Sequence, residues 1–127
     1  MTENSTPRQY PEWQKDIHAR IDDAAYTFGY HLIKHCRTEA INSLPKDLTF
    51  DQNETAIKAI DIGLHNVLDM LEGFWRLPSG DNHSVEYELQ VVVKDNDNIE
   101  IERISISPAI VDLPIGYWKW SQDNEFR

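Results

Sequence analysis

The 127-residue chain carries 22 Asp and Glu against 12 Lys and Arg, a formal net charge of −10, with 40% hydrophobic and 10% aromatic residues. That composition suits one globular domain with a real core. It excludes the basic footprint of a nucleic-acid binder and the polybasic segment of a membrane anchor, and no apolar run nears the ~20 residues of a spanning helix.

Residues 1–10 are polar and read as a flexible segment ahead of a single α+β domain over 11–127. They lack the basic start and apolar run of a secretory leader. Cys36 is the one cysteine, so no internal disulfide forms and a reducing cytoplasm is the expected location. It lies beside an apolar stripe and reads as a small buried hydrophobe.

From Pro11 onward, Trp13, Ile17, Ile21, Ala24, Ala25, Phe28, Leu32, Cys36 and Ala40 recur every three or four residues. That spacing predicts a helix over about 12–43, stopped before Pro45 and kinked at Gly29. Ile57, Ile60, Leu64, Val67, Leu68, Leu71 and Trp75 predict a second helix over about 53–76, capped by Asp51 or Asn53. The connection is short, so the two helices should lie antiparallel.

The period then changes from 3.6 to 2. Val85, Tyr87, Leu89, Val91 and Val93 predict a strand over about 84–93, and residues 94–98 are turn chemistry. Ile99, Ile101, Ile104 and Ile106 predict the return strand, about 99–107. Their parity breaks after Ile101, which predicts a bulge near Glu102-Arg103 that keeps all four on one face. Asp112-Leu113-Pro114 reads as a turn and 115–120 as a short third strand. The expected fold is α+β: an antiparallel helical hairpin packed on a small antiparallel β-meander of two or three strands. Trp13, Trp75, Trp118 and Trp120 would seal the edges between layers.

No phosphate loop, nucleophile elbow, paired-cysteine motif or His-Glu-X-X-His stretch occurs, so no catalytic residues are assigned and the chain reads as a non-enzyme. Asp95-Asn96-Asp97 opens like a calcium loop, but Ile99 and Glu100 stand where a ligand and a glycine are required. On antiparallel helices, His31 and His35 come level with His65 and Asp61. These four residues form either a polar seam or a site for zinc or another divalent transition metal.

Residues 51–127 carry −9 of the charge. On the expected hairpin, Glu86, Glu88, Glu100 and Glu102 share the face opposite the Val/Ile face, and Tyr117, Trp118 and Trp120 follow as aromatic anchors or core lids. These seven residues are the candidate partner-binding set. The chain therefore reads as a small acidic cytoplasmic protein-binding module. In size and charge, and by analogy alone, it is like an immunity or antitoxin-type inhibitor of a basic partner. No cofactor, nucleic acid or membrane is expected on this reading, and edge strands offer a route to a homodimer. The alternative is a metal-binding protein or metal-dependent enzyme built on the His/Asp set.

Overall fold

The computed structural model describes residues 16–73 and 77–122. The expected segment 1–10, Trp13 and Trp75 lie outside the described residues. The fold is α+β, with helices and two small antiparallel two-stranded sheets.

Helix α1 (Ile17–His31) starts at Asp16, whose carboxylate accepts the Ala19 N–H at 3.3 Å. It runs without a break into a π-helical segment (Leu32–Arg37) and then α2 (Thr38–Asn42). The expected kink at Gly29 is not there; the helix stays regular through it, and the irregularity lies one turn later. Gly29 answers a different need. A Cβ at this position would lie 2.4 Å from Cδ2 of Trp120, so its missing side chain is what lets the indole approach. Cys36, expected to be buried, is exposed on the π-helical segment.

Helix α3 (Phe50–Leu71) begins earlier than periodicity indicates, because Thr49 rather than Asp51 or Asn53 is the cap. The Thr49 hydroxyl accepts the Gln52 N–H at 3.1 Å, and Gln52 Oε1 accepts the Thr49 N–H at 3.0 Å. This capping box satisfies two backbone donors at once. The helix stops at Leu71, short of the expected 76, and Gly73 follows in the left-handed region with φ +76°.

Strands β1 (Leu77–Pro78) and β2 (Ser84–Val85) make one sheet; β3 (Leu89–Lys94) and β4 (Glu100–Ser107) make the other. The Asp95 carboxylate accepts the N–H groups of Asp97 and Ile99 and closes the second hairpin. Val93 pairs with Glu102 and Lys94 with Glu100, and Leu89 pairs with Ser107 and Gln90 with Ser105, so the register shifts at Ile101 and again at Ile106, not at Glu102-Arg103. The parity conflict is resolved by leaving Ile99 and Ile101 exposed while Ile104 and Ile106 are buried. The bulged antiparallel hairpin is present as β3–β4, with β1–β2 as a separate pair. No third strand joins either sheet among the described residues, and 113–121 is helix α4 (Leu113–Ser121) instead of a strand. Asp112, read as a turn former, caps this helix by accepting the Ile115 N–H at 3.1 Å, and Pro114 sits in its first turn.

α1 packs on β4, and α4 packs on α1 and α3. Ala24, Tyr30, Ile33, Leu68, Ile104, Ile106, Leu113 and Tyr117 form the core between them. The Ser107 hydroxyl donates to the Leu71 carbonyl at 2.9 Å, tying the end of α3 to the end of β4.

Candidate functional site

The four candidate metal ligands are parted. His31 stacks on His35 at a ring-centroid distance of 5.5 Å. Burial and then the neighbouring His35 hold the His31 imidazole below its usual pKa. His65 touches the Asp69 carboxylate at 3.4 Å and stacks on the Trp118 indole at 4.9 Å. Asp61 is gripped by an arginine and a tyrosine. Its Oδ1 accepts from Arg37 Nε at 2.7 Å and from the Tyr117 hydroxyl, and its Oδ2 accepts from Arg37 at 3.3 Å. Among the described residues, no group of three or more His, Cys, Asp or Glu side chains is placed to hold a metal ion.

The cause is the π-helical segment. Each residue inserted into a helical turn rotates the following side chains by about 100° relative to an unbroken 3.6-residue period. Beyond this segment the facing residue no longer follows the 3.6-residue period, and the side chain that meets Asp61 is Arg37, two positions beyond the expected His35. Arg37 and Asp61 are largely enclosed, with side chains 12% and 17% exposed. The hydrogen bonds to Asp61 raise the Arg37 pKa further. Burial, and then the bond to Asp61, raise the Tyr117 phenol well above its ordinary range. Asp61 is thus a tie between the π-helical segment, α3 and α4, with both oxygens engaged. The sequence signal for it was present: Arg37 lies two residues after His35, and a guanidinium grips a carboxylate bidentately.

The candidate partner-binding residues are also redistributed. Tyr117 is fully buried and is no surface anchor. Trp120 is half-buried against Gly29 and Gly116, edge-on to Phe28. Trp118 remains 45% exposed. The four glutamates do not share a face. With the bulge at Ile101, Glu102 turns toward α1 and pairs with Arg20 at 2.7 Å. Glu100 pairs with Arg103 at 2.7 Å, and that arginine holds its carboxyl below the usual range. Glu88 accepts from the Ser105 hydroxyl at 2.7 Å and from the Gln90 amide, which lower its pKa likewise. The outer face of β3–β4 is therefore a polar ladder with its own arginine, not an unopposed acidic sheet.

Unopposed acid does occur one segment earlier. Every residue from 78 to 88 is exposed. This arm carries Asp81, Glu86 and Glu88 and no Lys or Arg, with Val85 and Tyr87 each more than two-fifths exposed. β2 pairs with β1 and makes no other substantial packing among the described elements. Acidic side chains flanking an exposed aromatic ring combine long-range attraction with a desolvatable anchor.

No family model, curated protein or solved structure in the comparisons matches this chain. No helix among the described residues is long and apolar enough to cross a membrane.

Proposed function

We propose that the chain is an acidic protein-binding module that docks on a basic partner, acting in the manner of an immunity or antitoxin-type inhibitor in the cytoplasm. The observation that carries this reading is the exposed arm 78–88, with its three carboxylates, no cationic residue, and Val85 and Tyr87 open to solvent. A net charge of −10 steers a cationic partner from a distance, and Tyr87 between Glu86 and Glu88 supplies the short-range contact. The acid acts from this arm, because Glu100 and Glu102 are already paired within the chain.

The test compares capture of basic proteins from a cell extract by the native chain and by the Glu86→Lys/Tyr87→Ala/Glu88→Lys variant. All three side chains are exposed, so the fold should be retained, and circular dichroism checks this. The reading expects a basic protein held at about 0.05 M salt, released by about 0.5 M, and lost with the variant. Capture that survives both changes overturns it.

A further inference from the structure

Strand β3 has β4 on one side and, among the described residues, no strand on the other. The direction of its backbone groups follows from the turn beside it. The Asp95 N–H points across the hairpin to the Ile99 carbonyl at 3.0 Å. Along a strand of an antiparallel ladder, successive residues turn their N–H and C=O groups alternately toward the partner and away from it. Both register shifts place their extra residue on β4, at Ile101 and Ile106, so the alternation runs unbroken along β3. Leu89, Val91 and Val93 therefore turn to β4, and Gln90, Val92 and Lys94 turn away. Among the described residues no backbone group pairs with these three from the open side.

Edge strands are ordinarily blunted by a mid-strand charge, a proline or a bulge of their own. β3 has none of these. Its middle is Gln90-Val91-Val92-Val93, with three β-branched residues in a row, and Lys94 stands only at its end. An open row of donors and acceptors on so good a strand former is specific for another extended backbone, which an apolar face is not.

We infer that the open edge of β3 takes up an extended, basic segment of the partner as an added strand. Charge selects that occupant. Glu86 and Glu88 of the acidic arm lead straight into β3, Asp95 and Asp97 follow it, and all four are exposed. A second copy would bring another −10 to this place and be repelled, whereas a strand bearing Lys or Arg is drawn to it. An antiparallel arrival sets the C-terminal end of the incoming strand beside Glu86 and Glu88, and that is where its cations belong. This rests on the acidic-arm reading and deepens it: the arm's side chains steer the partner, and the β3 backbone holds it by directional bonds.

The probe is a synthetic peptide, acetyl-Thr-Val-Thr-Val-Thr-Lys-Lys-amide, added to the full chain at about 1 mM while amide exchange is followed by NMR. In the free chain the amides of Gln90, Val92 and Lys94 should exchange much faster than those of Val91 and Val93. The peptide should slow the three about tenfold. Neither a peptide N-methylated at its three central residues nor one ending in two glutamates should do so. Val92→Pro removes one outward N–H and leaves the β3–β4 ladder its own bonds, so it should abolish the slowing at Gln90 and Lys94 with the melting temperature nearly unchanged. The methylated peptide applies the same block without altering the chain. A Val92 amide already protected in the free chain, no slowing by the lysine peptide, or equal slowing by the methylated one overturns the proposal. Equal slowing by the glutamate-ended peptide overturns both the proposal and the acidic-arm reading beneath it. A lysine peptide that shifts the signals of Glu86 and Glu88 but leaves Val92 exchanging freely overturns strand addition and leaves the acidic-arm reading standing.

Discussion

Asp61 shows how one residue can be misassigned for a sound reason. A carboxylate level with histidines has the composition of a metal site, yet Arg37 and Tyr117 take both of its oxygens. Removing it strands a mostly enclosed guanidinium and a buried phenol. Asp61→Ala should therefore cost about 3 kcal/mol in urea unfolding, and Tyr117→Phe about 1 kcal/mol. Tyr117 also has a signature in pH. Its folded pKa lies above the unfolded value of 10.0, so the folded chain keeps the phenolic proton after the unfolded chain has lost it. The stabilisation is complete below pH 10 and falls away as pH rises above it. Stability measured from pH 9 to 11 should decline more steeply in the native chain than in Tyr117→Phe.

At the scale of elements, the legible parts were those whose period is long and unbroken. The stripes of α1 and α3 and the alternation from Leu89 to Val93 mark their elements directly. The illegible parts were local decisions made by packing. The four isoleucines from Ile99 to Ile106 cannot all face inward without a bulge. In the observed register Glu102 lies toward α1, where it pairs with Arg20, 82 residues away in sequence. Helix α4 has nine residues rich in aromatics, a composition shared with strands; its cap at Asp112 is the deciding signal. A π-helical segment leaves no trace in hydrophobic spacing, and that is why the candidate metal set was legible as residues but not as geometry. Gly29 was legible as an exception, though not its cause. Gly29→Ala would place a methyl group against the Trp120 ring and push α4 off α1. It should cost about 1–3 kcal/mol by thermal unfolding, even though alanine is the better helix former.

For the molecule as a whole, the surplus charge opposes compaction. Eighteen acidic side chains fall within the described residues against eight Lys and Arg, and three of the latter are held in ion pairs. Screening weakens repulsion across the surface more than it weakens a largely enclosed pair such as Arg37–Asp61. Raising salt from about 0.02 to about 0.3 M should therefore raise the melting temperature, measurably in a thermal scan. A fall would mean that the paired charges outweigh the unpaired ones.

Helix α4 is the last described element to be synthesised, and it supplies Tyr117 to the core, the third bond to Asp61 and the indole that fills the gap at Gly29. The preceding hundred or so residues hold most of the secondary structure but an open interior. On the ribosome, such a nascent chain would wait with Ile33, Leu68 and Ile106 incompletely covered until α4 emerges, and the final commitment to the native state is made only when that helix docks.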